Sequence, residues 1–306
     1  MKVFVTGATG LIGSALVPEL IAAGHEVVAL ARSDASAARA DSLGASVVRG
    51  TLDDTDVIAD AARHADGVIH LAFDHDMMFG GNMAGAAALD RRAIEVMAEA
   101  LEGTGRPLMI AGGVLRIDGD GEVLTEDMNV NAPGGDEAST QPVDRTSNAH
   151  FTLGLARRGI RSVVVRLAPI VHGDGQGGFL SPLVWIAQGA SISGYPEDGE
   201  NRWPAAHVAD IATLYRLGLE KAPAGSVLHG VGEVGISLRS IATAIGERLN
   251  LPVRSIPHDA LVDHFGGFSF FIRSDCPASN TATRALLGWE PTGLGLIDDI
   301  GNVLLA

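Results

Sequence analysis

Cysteine and lysine are nearly absent from this 306-residue chain, and each scarcity excludes something. Cys276 is the single cysteine, so neither an intramolecular disulfide nor a cysteine-based metal cluster can form. Lys2 and Lys221 are the only lysines, beside 20 arginines, so a catalytic lysine has just two possible positions.

Long apolar runs are also missing. None reaches the roughly 20 residues that are needed to cross a bilayer, and the first one, residues 3–5, predicts a strand and not a signal peptide. The formal net charge of −15 argues against nucleic acid or an anionic membrane as a partner. With 46% hydrophobic residues the chain can bury a sizeable core. Because neither a signal peptide nor a membrane span is predicted, we expect a cytoplasmic protein. We also expect a small-molecule substrate.

The first 13 residues contain the pattern around which the chain is organised. A predicted strand is followed by glycines at positions 7, 10 and 13 and then by a helical pattern. Gly7 allows a tight turn, Gly10 lets the backbone approach a pyrophosphate, and Gly13 lets the helix pack closely on the sheet. We therefore predict a dinucleotide site and not a glycine turn without a ligand. The predicted contacts are Gly7, Thr9, Gly10, Leu11, Ile12 and Gly13.

The end of the second predicted strand indicates which dinucleotide is bound. An acidic residue there would bind a ribose 2′-hydroxyl and repel a 2′-phosphate. Here Arg32 and Ser33 come first, and both side chains can bind a phosphate. We therefore predict NADP(H) over NAD(H). In the alternative interpretation, Arg32 is a solvated loop residue and Asp34 binds the ribose.

The Gly-x-x-Gly-x-x-Gly spacing after Thr6 resembles the extended and atypical short-chain dehydrogenase/reductases, also called the NAD-dependent epimerase/dehydratase family. A strand, proline and glycine over residues 162–173, "His-Val-x-Asp" at 207–210 and "Leu-Gly-Trp-x-Pro" at 287–291 extend the resemblance over nearly the whole chain.

The resemblance implies an α/β fold, a doubly wound parallel (Rossmann) sheet with a smaller, mostly helical C-terminal lobe. Residues 1–172 would form the dinucleotide-binding domain, with 200–233 returning to the sheet. Residues 173–199 and 234–306 would form the substrate lobe, with the substrate between the lobes, over the carboxyl ends of strands four to six.

The resemblance also implies further cofactor contacts. Leu52 would pack on the adenine, although Thr51 stands at the usual aspartate position. The segment after His70 resembles the family's "His-Leu-Ala-Ala", which passes beside the ribose and nicotinamide, while His70 itself is interpreted as a packed strand residue. The contacts predicted in this way are Leu52, Leu71, Ala72, Phe73 and Pro169.

The family's acid–base residues have no counterpart in this sequence. Active relatives place a serine after the fifth strand and a Tyr-x-x-x-Lys on the next helix, where the tyrosine is the general acid and the lysine holds the nicotinamide ribose. Here glycine follows the strand at Gly112, and the helix that ends near Arg158 has neither tyrosine nor lysine. Tyr195 and Tyr215, the only tyrosines, have no lysine four residues later.

Several residues are candidates to replace that apparatus. Arg145 or Asn148 could hold the ribose hydroxyls and Ser147 could bond a substrate carbonyl, or all three are simply polar residues of a helix N-terminus. The candidates for a proton donor are Asp74, His75, His172 and Tyr195. For the acidic and histidine run at 74–76, which we read as a loop, we predict no metal, because adjacent loop residues point in different directions.

Two interpretations remain open elsewhere. The apolar face of the predicted helix 84–102 either pairs two subunits in a homodimer or packs on its own sheet. The phenylalanines between 265 and 271 form either the core of the small lobe or an apolar lid over the substrate.

The leading hypothesis is an NADP(H)-dependent oxidoreductase that transfers a hydride to or from a small, largely apolar carbonyl, imine or enone. The second hypothesis is an NADP(H)-binding sensor without catalysis, which the missing motif favours. A sugar-nucleotide epimerase or dehydratase is the third, and is disfavoured because those reactions need the tyrosine base.

Overall fold

The computed structural model describes residues 1–115, 121–128, 144–173 and 178–303, apart from the side chains of Phe79 and Val303. Its strands are β1 Lys2–Thr6, β2 Glu26–Ala31, β3 Ser46–Arg49, β4 Gly67–His70, β5 Pro107–Gly113, β6 Arg161–Leu167, β7 Ile170–His172, β8 Ser193–Pro196, β9 Arg202–His207, β10 Ser226–Gly230, β11 Glu233–Ser237 and β12 Val253–Ile256. Its helices are α1 Leu11–Ala22, α2 Asp34–Ser42, α3 Thr55–Arg63, α4 His75–Phe79, α5 Met83–Leu101, α6 Arg145–Gly154, α7 Leu180–Ala190, α8 Val208–Lys221, α9 Leu238–Leu249, α10 Leu261–Phe265, α11 Ser269–Ile272, α12 Thr281–Leu287 and α13 Leu296–Val303.

The main sheet has seven strands in the order β10-β6-β5-β4-β1-β2-β3. β1 pairs in parallel with β2 and with β4, and β2 pairs in parallel with β3. The chain thus runs outward from β1 in one direction and returns to add β4 on its other side. This reversal beside β1 is the topological switch point at which doubly wound folds bind ligands. The predicted doubly wound fold is confirmed.

The chain divides into two compact units. The first unit comprises Met1–Gly112, Asn131–Arg166 and Ala212–Leu228, and contains most of the seven-stranded sheet. β1 forms here because residues 3–5 are apolar and fully buried. Its core is formed by strand residues and by one face of each covering helix, including Phe4, Ile58, Ile94, Met97, Leu101 and Leu108.

The second unit comprises Gly113–Val130, Leu167–Ile211 and His229–Ala306. Beside its helices it has a three-stranded sheet of order β11-β9-β7 and a parallel pair of β12 with β8. Trp203 is fully buried in its core, together with Leu180, Ile241, Ile245, Phe265 and Phe268. Strands therefore make up more of this unit than we expected for a mostly helical lobe.

The structure differs from the sequence prediction at two further points. Residues 75–79 form the short helix α4 in place of a loop, because the Asp74 carboxylate caps it by accepting from Met77 N at 2.8 Å. Of the range 200–233, only Ala212–Leu228 groups with the first unit, since β9 belongs to the three-stranded sheet. Within the described ranges, no helix is long and apolar enough to cross a membrane.

Candidate functional site

The turn after β1 is compact because of two glycines. Gly7 has φ +71°, and a Cβ there would lie 2.7 Å from Ala72 N, which follows β4. A Cβ on Gly13 would lie 2.2 Å from Gly7 O. Gly13 therefore allows α1 to approach the preceding turn closely. Gly10 is exposed, and its N–H donates to Gly7 O at 3.1 Å.

The start of α1 differs from the starts of most other helices in the first unit. Its N-cap, Gly10, makes no side-chain hydrogen bond, and the first turn has no acidic residue. By contrast, α2, α4, α5 and α6 begin with a side chain that accepts from the helix backbone, namely Ser33, Asp74, Asn82 and Asp144. The first N–H groups of α1 are therefore left without a side-chain cap and can bind an anion.

The ends of β2 and β3 bring two arginines to one edge of the sheet. The register pairs Ala31 with Arg49, so Arg49 lies beside the turn after β2. Its Nη2 is 2.7 Å from the Asp34 Oδ1, and its Nη1 donates to Ser33 O. Arg32 is exposed on the same turn. The acid that could have bound a ribose is therefore paired with a guanidinium.

Two predicted cofactor contacts have other partners. The Ser33 hydroxyl forms a capping box with Ser36, accepting from its N–H at 3.1 Å. Leu52 is half-buried and packs against the core of the first unit, while Asp53 beside it is 3.5 Å from Arg92. Thr51, at the usual aspartate position, donates through N and Oγ1 to Asp54.

A buried chain of hydrogen bonds connects β1, β4, α5 and α6. Ala72 N donates to Thr6 Oγ1 at 3.2 Å, and that hydroxyl is 2.6 Å from His70 Nδ1. His70 Nε2 is 3.0 Å from Asp90 Oδ1, and Asn148 Nδ2 donates to Asp90 Oδ2 at 2.7 Å. The carboxylate accepts only, so His70 bears its proton on Nε2 and Thr6 donates to Nδ1.

These hydrogen bonds hold the turn after β4 in place and determine the environment of Asp90. Burial by itself would raise the pKa of the Asp90 carboxyl, but bonds from His70 and Asn148 and the charge of Arg145 hold that pKa below its ordinary value. The Asn148 side chain is buried and also donates to Ala87 O. Its amide is therefore used within the first unit.

Arg145 lies where β4 and β5 end. Its guanidinium carbon is 4.3 Å from the centre of the Phe73 ring, and its Nη2 donates to Ala111 O at 3.1 Å. Burial lowers the pKa of Arg145, while Asp90 and Tyr215 act in the opposite direction. The Tyr215 hydroxyl is buried without a partner among the described residues, and burial raises its pKa.

His75 lies close enough to this guanidinium for its charge to act on the imidazole, and Asp74 precedes His75 in the chain. Asp74 is occupied as the cap of α4. The His75 ring meets the Phe73 ring edge-on at 5.3 Å, and burial, followed by the charge of Arg145, lowers the pKa of His75. A neutral imidazole is therefore favoured there near neutral pH.

The other candidates lie in the second unit. His172 is fully buried, with Nδ1 2.8 Å from Asp299 Oδ2 and its Nε2 without a partner among the described residues. Tyr195 is half-buried on β8, with the Arg239 guanidinium carbon 5.5 Å from its ring centre. Pro169 is half-buried, and its carbonyl accepts from Phe179 N.

The structure bears on the role of the apolar face of α5, on the phenylalanines between 265 and 271, and on the prediction that residues 74–76 hold no metal. α5 buries Ala93, Ile94, Met97 and Leu101 in the core of the first unit. Phe265 and Phe268 belong to the core of the second unit, whereas Phe270 is 53% exposed. No group of three metal-ligating side chains occurs within the described residues.

Sequence reasoning missed Arg49 and Asp90. Arg49 ends β3 as Arg32 follows β2, and adjacent parallel strands end at the same edge, so their proximity could have been inferred. Asp90 interrupts the apolar face of α5 that Ala86, Ala87 and Ala93 define. A lone acid at a buried helical position indicates a partner, but not which one.

A family model described as the NAD dependent epimerase/dehydratase family matches residues 3–87. Over 302 residues, 99% of both chains, the sequence is 40% identical to an uncharacterised protein of Schizosaccharomyces pombe. It is 27% identical over 276 residues to the 4-hydroxy-2-methyl-3-oxo-4-farnesyl-3,4-dihydroquinoline-1-oxide ketoreductase of Stigmatella aurantiaca, covering 85% of this chain and 77% of the relative. The solved dTDP-glucose 4,6-dehydratase of Streptomyces venezuelae, with NAD and TYD bound, matches with TM-score 0.76 at 18% identity, covering 100% of this chain and 96% of the other.

Proposed function

Because the chain belongs to the NAD-dependent epimerase/dehydratase family of extended short-chain dehydrogenase/reductases, we propose that it is an NADP(H)-dependent oxidoreductase. Membership indicates a nicotinamide-dependent oxidoreductase, epimerase or dehydratase. Within that range we propose hydride transfer to or from a small, largely apolar carbonyl, imine or enone.

The turn after β1 fits a dinucleotide. Gly10 is exposed and has no Cβ, and α1 starts without a side-chain cap, so pyrophosphate oxygens can accept from its first N–H groups. Leu52 would contact the adenine, and Leu71, Ala72 and Phe73 would line the path of the nicotinamide ribose. When bound, the nicotinamide supplies or accepts the hydride.

The observation that supports NADP(H) is the pairing of Arg49 with Asp34. It offsets the single carboxylate of the turn after β2 and leaves a net positive charge at this edge, carried by the exposed Arg32. A net positive charge favours a 2′-phosphate, whereas a free carboxylate would favour a 2′-hydroxyl.

An apolar substrate is supported by the side chains around the end of β4. Phe73 and Met77 are half-buried there. The relative from Stigmatella aurantiaca is named a ketoreductase. A side chain that binds the substrate oxygen and a surface that excludes water are what the protein would add to the hydride chemistry.

Fluorescence titration of the purified protein with NADPH and with NADH tests the cofactor assignment. We expect NADPH to bind at least about tenfold more tightly, as charge-assisted bonds to a phosphate would give. Loss of absorbance at 340 nm with a panel of ketones, imines and enones then tests turnover. Tighter binding of NADH would overturn the assignment.

Variants at two arginines separate phosphate recognition from surface charge in general. R49A should lower NADPH affinity about tenfold and leave NADH affinity unchanged, because only NADPH has the 2′-phosphate. R63A is the matched control, since Arg63 is also exposed and pairs with an aspartate, Asp60, at 3.6 Å. Equal losses in both variants would contradict a phosphate site.

An NADP(H)-binding sensor is the second candidate, and one observation favours it. The Asn148 amide donates to Asp90 and Ala87 and not outward, so Asn148 offers no donor to the nicotinamide ribose. Tight NADPH binding without turnover across the whole panel would support the sensor over the reductase.

A further inference from the structure

Arg145 is a cation at the edge of the sheet where β4 and β5 end, and most of its hydrogen-bond donors are unused in the part of the chain that the structure describes. Of its five N–H bonds, one from Nη2 is used by Ala111 O at 3.1 Å, and no other acceptor is present among the described residues. No carboxylate of the described ranges forms an ion pair with it, although Asp90 lies close enough to influence it electrostatically. Its remaining donors are therefore available to a ligand.

The guanidinium is held in position from two sides. The Phe73 ring lies 4.3 Å from its central carbon, a cation–π contact, and the Ala111 carbonyl lies at the end of β5. Its own residue begins α6, whose start is capped by the Asp144 carboxylate. A group held by three elements needs little reorganisation when charge develops beside it, which makes electrostatic stabilisation effective.

This position is close to the proposed cofactor path. Gly7 approaches Ala72 so closely that a Cβ would lie 2.7 Å from its nitrogen, and Phe73 is the next residue. The ring under Arg145 thus directly follows the segment that contacts the dinucleotide turn. Asp74 is used as a helix cap and Asn148 is used internally, so Arg145 is the cation best placed to meet a substrate oxygen.

We propose that Arg145 is a catalytic residue whose guanidinium binds the substrate carbonyl oxygen and stabilises the alkoxide formed on hydride transfer. This inference rests on the proposed function. As the hydride bonds to the carbonyl carbon, the π electron pair of the C=O bond moves to oxygen. The resulting alkoxide is held by the guanidinium and takes its proton from water, so Arg145 donates hydrogen bonds but no proton.

The test uses R145M, which keeps length and removes charge, beside R91M as the matched control. Arg91 is also an arginine stacked on a phenylalanine, with its guanidinium carbon 3.6 Å from the Phe151 ring centre, but it pairs with Glu95 on α5. Single-turnover oxidation of NADPH should slow at least about a hundredfold in R145M, as for loss of one oxyanion donor. NADPH affinity should stay within about threefold, and R91M should match the natural protein.

A second measurement does not depend on turnover. Benzoate presents a negatively charged oxygen that cannot be reduced, so it is a probe for the alkoxide in the complex with NADP⁺. Calorimetry should show about 10- to 100-fold weaker benzoate binding in R145M, since a charge-assisted bond is lost. R91M should bind benzoate as the natural protein does.

Three results would overturn the inference, and they differ from one another. Unchanged benzoate affinity and unchanged turnover in R145M would show that Arg145 does not meet the substrate oxygen. A parallel loss of NADPH affinity would make it a cofactor anchor. A natural protein that binds no NADPH at all would overturn the proposed function together with this inference.

Discussion

Each unit of the protein buries a histidine beside a carboxylate, yet the two pairs are built differently. In the first unit both ring nitrogens of His70 have partners, Thr6 at 2.6 Å and Asp90 at 3.0 Å. In the second unit only Nδ1 of His172 is bonded, to Asp299 at 2.8 Å. Nε2 of His172 has no partner among the described residues.

The difference teaches what each histidine can contribute. A ring bonded at both nitrogens has one tautomer and one orientation, so His70 fixes the geometry between β1, β4 and α5. A ring bonded at one nitrogen keeps a free site, but His172 is fully buried, so that site does not reach solvent. Its edge-on contact with His207, at 5.5 Å between ring centres, fits a packing role.

Asp90→Ala should have the largest effect. The substitution leaves the Nε2–H of His70 and one N–H of Asn148 without an acceptor in a buried place, which we expect to lower the free energy of unfolding by about 3 kcal/mol. Urea denaturation followed by circular dichroism measures it. Asp53→Ala is the control, because Asp53 is exposed and its ion pair with Arg92, at 3.5 Å, is also exposed. If Asp90→Ala lowers the free energy of unfolding no more than the control does, the His70–Asp90 pair does not stabilise the fold.

Histidine substitutions compare the two pairs directly. His70→Phe deprives both Thr6 and Asp90 of a partner and should cost about 2 kcal/mol. His172→Phe leaves Asp299 its bond from Asn302 at 3.1 Å and should cost about 1 kcal/mol. The free energies of unfolding from urea titration decide between them. If His172→Phe lowers the free energy of unfolding more than His70→Phe does, His172 contributes more to stability than its hydrogen bonds indicate.

The smallest effect concerns pH. Burial would raise the pKa of Asp299, but bonds from His172 and Asn302 hold it below the ordinary value, as the corresponding bonds do for Asp90. A lowered pKa in the folded state stabilises the fold above about pH 4, and this is lost as the pH falls through the folded-state pKa. Asp90→Asn should therefore flatten the acid side of a plot of unfolding free energy against pH. An unchanged acid slope would contradict this assignment.

Much of the fold was predictable because its patterns are local. β1 and α1 form where a strand and a helical pattern were predicted on either side of the glycine turn, since the residues that indicate them are contiguous in the chain. The strands β7, β8, β9 and β11 were harder to predict, because they are short and pair in small sheets. α4 was missed for a similar reason, since five residues are too few for a helical period to show.

The sequence by itself determined the strand, the glycine turn and the helix at the amino terminus, and the absence of a Tyr-x-x-x-Lys motif, because these depend on neighbours along the chain. Only the tertiary structure decided that Arg49 pairs with Asp34, that Asp90 joins His70 to Asn148, and that Arg145 lies over Phe73. Those contacts join residues 15 to 72 positions apart, and their geometry depends on which strands lie side by side and on how helices pack against them.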